Sequence, residues 1–527
     1  NAVTVLEEAL QARGGGTEAR VHLANLFVSK SNFRDSDNLY AEVIKSEPGH
    51  IGALLGAARI DIESDRNYLE ARTKGLKILK SSPECVPAHN LLAELDLLGE
   101  QPLDAIKRLQ EKSLRLAPNN PRALTLLGAA YLILDDDPRY EQTRKRALAL
   151  NPRFAAFFAV VAEHAARVHR YRRALALNQE ALTLDPEYWP ALSNLGIGYS
   201  RLGDDDKAKE KLEEAFEGDS YNVRTYNLLT FFYDKVIKEF DWIDVKPMRL
   251  RVHHREKKIL NRYVPPLLKE AYAYLKKKYA FAPQTPLHVE VFPDKELFSV
   301  RSTGLPRLGA HGICFGHVIT SRSPSEGNYN WAEVLWHELS HVFHIQLSKS
   351  RVPRWFTEGL AVYESTEGRD EWRREMDPTL LRYKKEGRLR GIANFNLSFT
   401  QAKSFEDILV AYYHAYVVAE FMVERFGSGV VRDLLIGWGK KKKTKTVFAD
   451  VLKLSLKEFD AAFEGWLETR LSHLEKNFEI APQRYVEKAK DWISAATKTQ
   501  ATTSDKVNAA MALYAKRDFK HALLHLD

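Results

Sequence analysis

Through residues 17 to 221 apolar positions recur every three or four residues in short runs, the pattern of paired amphipathic helices. Pro48, Pro83, Pro118, Pro152 and Pro186 punctuate these runs at spacings of 35, 35, 34 and 34, and each closes a unit of two helices. Leu127-Gly128, Tyr131 and Ala147 in one unit match Leu195-Gly196, Tyr199 and Ala215 in a later one, which also has Ala208. Small residues let paired helices approach, and the tyrosine fills the gap between them. Beyond this array the period shifts from 3.6 to 2. Met248–His253 alternates as a strand does, Leu260–Tyr279 reads as a helix, and His288–Phe292 reads as a second strand closed by Pro293-Asp294. Gly312–Thr320 reads as a third strand. After Gly427 the chain returns to helix through Leu474, and residues 495–505 form a polar linker.

The repeating units resemble the tetratricopeptide pattern, with six repeats over about residues 17 to 221. Residues 5 to 12 read as the second helix of an earlier unit, and Asn508–Asp527 as the start of a further one. Interrupted repeats at both ends, and an Asn rather than a Met at position 1, point to a longer parent chain with another unit inserted between two arrays.

A chain of 527 residues exceeds one core, so three or more structural units are expected. At 45% hydrophobic and 28% charged it is globular. No apolar run is long enough for a transmembrane helix. Cys85 and Cys314 fall in different units, so no disulfide holds the fold, and the redox compartment is left open. The net charge of +8 is mild for this length. Lys440–Lys443, the one dense basic run, reads as a solvated loop. No interleaved aromatic stripe supports nucleic-acid binding.

The chemistry concentrates in His337-Glu338-Leu339-Ser340-His341. On a helix, histidines four residues apart share one face, so both imidazoles can reach a single zinc ion. Glu338 projects toward the place of a water beside that ion. A third ligand is needed, leaving one position open. Glu358, with sixteen residues between it and His341, is the candidate. Asn330-Trp331-Ala332-Glu333 reads as a capping box that starts the histidine helix. Val334, Leu335, Leu339, Val342 and Phe343 give it an apolar face, so the helix is buried. Burying two histidines and a glutamate without a partner is costly, and a metal removes that cost. Pro353 offers a first-turn position for the helix that carries Glu358.

His-Glu-Leu-Ser-His followed by Trp355-Phe356-Thr357-Glu358-Gly359-Leu360 resembles the gluzincin metallopeptidases, most closely the bacterial peptidase MA-like group. The resemblance covers roughly residues 250 to 475. It implies zinc held by His337, His341 and Glu358, with Glu338 as general base. It places an oxyanion-stabilising tyrosine at Tyr412, in Tyr412-Tyr413-His414-Ala415 before an apolar helix that ends at Phe426-Gly427; Tyr413 is the alternative. Thr357 stands where aminopeptidase N-like enzymes have Asn. Gly309-Ala310-His311-Gly312-Ile313 replaces their exopeptidase strand, so the glutamate that grips a free amino terminus is missing, and internal cleavage is favoured. A metzincin would need glycine at His344 and histidine at Leu347. His344 therefore reads as a packing or hydrogen-bonding residue; His311 and His317 either line the cleft or are simply strand residues.

The expected architecture is mostly α: a tetratricopeptide α-solenoid (1–235) joined to an α+β gluzincin-like domain (236–475). A helix and linker (476–505) and the start of a further repeat (506–527) follow. The strand before the zinc helix would bind extended peptide by edge pairing. The array would recruit a peptide, protein substrate or protein partner. The competing readings are an inactive scaffold, against which Glu338 argues, and a zinc hydrolase of a non-peptide amide.

Overall fold

A computed structural model describes residues 2–11, 16–477, 482–498, 500–516 and 518–525. Residues 1, 12–15, 478–481, 499, 517, 526 and 527, which fall in the expected array, the helix and linker of 476–505 and the final repeat, lie outside the described residues.

Six helix pairs occupy residues 16–218. They begin with Gly16–Ser29 and Phe33–Ser46 and end with Trp189–Leu202 and Asp205–Gly218. All five spaced prolines sit in the turns between pairs, where a missing N–H and a fixed φ do no harm. Asn67, Asn120, Asp136 and Asp204 start helices by accepting a hydrogen bond from an amide three residues on. A helix at Ala2–Gln11 precedes the pairs.

The chain then forms five strands: β1 Phe240–Val245, β2 Met248–His253, β3 Leu287–Phe292, β4 Gly312–Cys314 and β5 Val318–Arg322. Their order is β1-β2-β3-β5-β4, with β2, β3 and β5 parallel and both outer pairs antiparallel. Helices α1 (Lys257–Tyr279) and α2 (Lys295–Thr303) supply the crossovers that parallel pairing demands. The single strand expected over Gly312–Thr320 is a hairpin instead. Gly316, at φ +83°, turns the chain, and Phe315 N–H bonds Val318 O at 2.7 Å. β1 escapes the sequence pattern because Asp241 and Asp244 interrupt its alternation.

Three further helices matter for the site: α3 (Trp331–Leu347), α4 (Arg354–Gly368) and α5 (Phe405–Phe426). The Asn330 side chain accepts from Glu333 N–H, which is one half of the expected capping box; the returning bond is not made. The Glu333 carboxylate pairs with Arg374 at 2.8 Å. Among the described residues no helix is long and apolar enough to cross a membrane.

Residues Asn1–Arg374 with Arg390–Asp460 form one compact unit, and Glu375–Leu389 with Ala461–Asp527 form a second. The second is helical, with Arg470 paired to Asp377 at 3.0 Å. The expected linker at 495–505 is shorter than its sequence suggests, because a capping box at Thr502 starts a helix at Thr503.

Inside the first unit the array and the sheet share one core. Ala208 and Leu212 of the last helix pair pack with Phe232, Phe240, Phe292 and Phe298. Arg301 of α2, only 1% exposed, donates to Glu290 of β3 at 2.7 Å and to Ser200 of the array at 2.7 Å. A buried carboxylate that loses such a partner is left in low dielectric. Arg301→Met should therefore lower the unfolding free energy by about 3 kcal/mol, with Arg251, 3.3 Å from Glu290, limiting the loss. Hydrogen exchange under denaturant should show helix Trp189–Leu202 and β3 opening together. An array that exchanges first and separately would contradict a shared core.

Candidate metal centre

Helix α3 presents His337 and His341 one turn apart, and α4 brings Glu358 across to meet them. The two Nε2 atoms lie 3.0 Å apart. Glu358 Oε2 lies 3.4 Å from Nε2 of His337 and 3.3 Å from Nε2 of His341. Bonds of 2.0–2.1 Å in a tetrahedral zinc site give ligand-to-ligand edges of about 3.3 Å. The donor set thus matches three corners of such a site in both chemistry and spacing. Among the described residues this is the one group of three side chains able to hold a metal. Side-chain exposures of 17%, 10% and 14% leave an approach from one side.

Burial pushes the His341 imidazole down to about 4, so it is neutral near pH 7, the form that ligates metals. Burial also acts against a charge on His337, but the hydrogen bond to Glu358 and the nearby Glu338 outweigh it and raise that ring. Burial works against ionised Glu358 too. Its hydrogen bonds to both histidines, and the charge of Arg354, still hold the carboxyl well below its ordinary value.

With His341 Nε2 turned to the metal position, its Nδ1–H donates to Thr357 Oγ1 at 2.7 Å. The same hydroxyl lies 3.0 Å from His344 Nδ1, and His344 Nε2–H donates to Glu364 Oε2 at 3.0 Å. Tyr279 closes the chain by donating to Glu364 Oε1. His344 and Glu364 are fully buried. Such outer partners fix the ring orientation of a ligating histidine. His344 therefore serves by hydrogen bonding, and Thr357 links the His341 and His344 rings.

Glu338 lies beside the triad against β4. Its carboxylate accepts from Cys314 N–H, and burial raises it to about 7. A Cβ at Gly312 would stand 2.7 Å from Glu338 Cγ, so only glycine lets the edge strand pass this close. His311 stacks on Tyr329, with ring centroids 4.6 Å apart, and the His317 carbonyl accepts from His288 N–H. Neither belongs to the metal group.

Helix α5 docks on α4 through Gly359, where a Cβ would meet the Ala415 carbonyl at 2.3 Å. That approach sets the Tyr412 ring 6.5 Å from His337, while Tyr413 packs toward Tyr416 at 5.5 Å. Burial, reinforced by Glu358, raises the Tyr412 phenol and keeps it protonated. Of the two tyrosines, Tyr412 faces the metal group.

Sequence reasoning passed over Glu364, Arg354 and Glu100. Glu364 stands seven residues, two turns, beyond Thr357, so a polar residue recurring on a buried face was the available signal. Arg354 Nε lies 3.6 Å from Glu358 Oε1. Glu100 belongs to the array, yet it accepts from Arg354 N–H at 3.2 Å and from Asn396 Nδ2 at 2.6 Å. It thereby caps the helix that carries the third ligand, an acid at a helix N-terminus. No local pattern could announce a partner so far away.

No family model matches the chain, and no curated protein matches it. Similar solved structures include a thermophilic TPR protein of Thermus thermophilus, at 19% identity over 34% of this chain and 98% of that one, TM-score 0.30. YrrB, described as a TPR protein with an unusual peptide-binding site, matches at 18% identity over 43% and 97%, TM-score 0.21. A human IFIT1 dimer with PPP-AAAA matches at 16% identity over 79% and 87%, TM-score 0.28. At such TM-scores no argument about the site rests on them, and the repeat character of the array stands on its own six helix pairs.

The purified protein should carry about one zinc per chain, and His341→Ala or Glu358→Ala should strip it. Thr357→Val should weaken zinc affinity by about 10- to 100-fold while the helices stay folded. Competition with a chromogenic chelator measures both effects. Full zinc in the Ala variants would contradict the ligand set.

Proposed function

We propose that the protein is a zinc-dependent peptidase that cleaves inside polypeptide chains. The observation that carries this reading is the 3.0–3.4 Å triangle of His337, His341 and Glu358 with Glu338 beside it. When bound, zinc would supply the Lewis acidity that activates a water near neutral pH and polarises a scissile carbonyl. Glu338 takes the proton from the attacking water and delivers it to the leaving amine. The Cys314 N–H holds its carboxylate in place for that transfer. Tyr412, kept protonated by its burial, donates a hydrogen bond to the developing oxyanion.

β4 ends the sheet and lies against Glu338, so its outer edge supports an extended substrate by strand pairing. No glutamate stands on β4 or in the loop before it to grip a free amino terminus. That absence favours internal cleavage over removal of terminal residues.

Glu338→Gln should abolish hydrolysis of a diverse peptide library, read by mass spectrometry, while zinc content stays at one per chain. Tyr412→Phe should lower kcat by about 100-fold, with KM little changed, and Tyr413→Phe should do far less. Equal loss in both tyrosine variants would sink the oxyanion role. A zinc-loaded wild type that cuts no peptide would favour a binding scaffold or a non-peptide amide substrate.

A further inference from the structure

Residues of the array together with residues 302–315 and Arg354 line a chamber of about 780 Å³. That volume lies in the upper part of the range for ligand sites; it suits a few extended residues and excludes a folded domain. The chamber is continuous with the catalytic elements. Ile313 of β4 and Phe315 just after it line one wall. Arg354 lines it too, 3.6 Å from the metal-ligand candidate Glu358. A peptide laid along β4 would send its neighbouring residues into this space.

The lining is strongly cationic: eight arginines against three glutamates. Glu63 is shared by Arg59, Arg167 and Arg224, and Glu94, just behind the wall, pairs with Arg59 and Arg122. Three arginines remain without a carboxylate partner among the described residues: Arg66, Arg201 and Arg307. Arg201 lies over the rings of Tyr171 and Phe315, at 5.7 and 5.3 Å from their centroids. Its Nε is buried with no hydrogen-bond partner, and so is that of Arg224. Arg201 is half-buried while Arg66 and Arg307 are exposed; a half-buried guanidinium without counter-charge is costly. It also attracts an incoming anion more strongly than it would in water.

We infer that this chamber is a binding site for acidic peptide segments, whose side-chain carboxylates pair with Arg66, Arg201 and Arg307 while the backbone lies along β4. Guanidinium forks match carboxylates two bonds at a time. This rests on the peptidase reading for its choice of polypeptide over other polyanions, and it gives that enzyme a substrate class. Recognition and cleavage then occupy adjoining parts of one cleft, and the array supplies the selectivity.

The test separates binding from hydrolysis. The Glu338→Gln full chain is mixed with a fluorescein-labelled peptide carrying four glutamates, its glutamine counterpart, and a single-stranded oligonucleotide of equal charge. Anisotropy gives Kd for each. The acidic peptide should bind at least about tenfold tighter than the other two, with the advantage shrinking as salt rises. The R66Q/R201Q/R307Q combination should remove that advantage. Arg307 is exposed in a loop, so Arg307→Gln alone, which spares the core, should reduce it in part. Amidating the peptide's C-terminus should leave the advantage intact; its loss on amidation would overturn side-chain recognition in favour of terminal carboxylate capture. Equal Kd for the glutamate and glutamine peptides, or tighter binding of the oligonucleotide, would also overturn the proposal. Tight acidic-peptide binding by a chain whose wild type cuts no peptide would uphold the chamber and refute the peptidase reading.

Discussion

Two imidazole nitrogens and one carboxylate oxygen converge at the corners of a triangle with 3.0–3.4 Å sides, and the rest of the molecule keeps them there. A carboxylate and two imidazoles this close in a partly buried site are held together by protons shared between them or by a cation at their centre. The helical repeat sets two corners by placing His337 and His341 one turn apart. The third corner depends on where α4 stands. Glu100 caps that helix, Thr357 ties it to His341, and Gly359 lets α5 close on its far side. Each contact is a separate constraint on one carboxylate.

The array is thus part of the site's framework. Arg351, in the loop between α3 and α4, pairs with Asp135 of the array through two bonds of 2.7 Å. With Glu100 and the Arg301–Glu290–Ser200 contact, this fixes the array to the loop, the helix cap and the sheet that carry the chemistry. The chamber between array and site follows from that attachment. A repeat array linked by a flexible tether could raise local concentration, but it could not shape a wall of the cleft.

Much of this was legible in the chain. Prolines at 34- and 35-residue spacing marked the inter-repeat turns, and the His-Glu-x-x-His spacing marked the helix that brings two histidines to the candidate metal site, because both signals are local and periodic. What escaped was non-local or conformational. The hairpin at Gly316 hid inside an apolar run, since a left-handed glycine leaves no mark on hydrophobic pattern. Which of Tyr412 and Tyr413 lies nearer the triangle depends on the packing of α5 on α4. Glu100 and the array's arginines sit on elements that read as ordinary repeat, Arg307 sits in a loop, and Arg354 opens the Glu358 helix at a position no pattern marked. Their meaning comes from tertiary proximity alone.

X-ray absorption at the zinc edge, on the purified protein, tests the metal triangle most directly. The account predicts a first shell of four nitrogen and oxygen atoms at about 2.0–2.1 Å, with outer scattering from two imidazoles, a signal that disappears with the bound zinc in His341→Ala. A shell containing sulfur, an oxygen-only shell, or a spectrum unchanged by that substitution would contradict it.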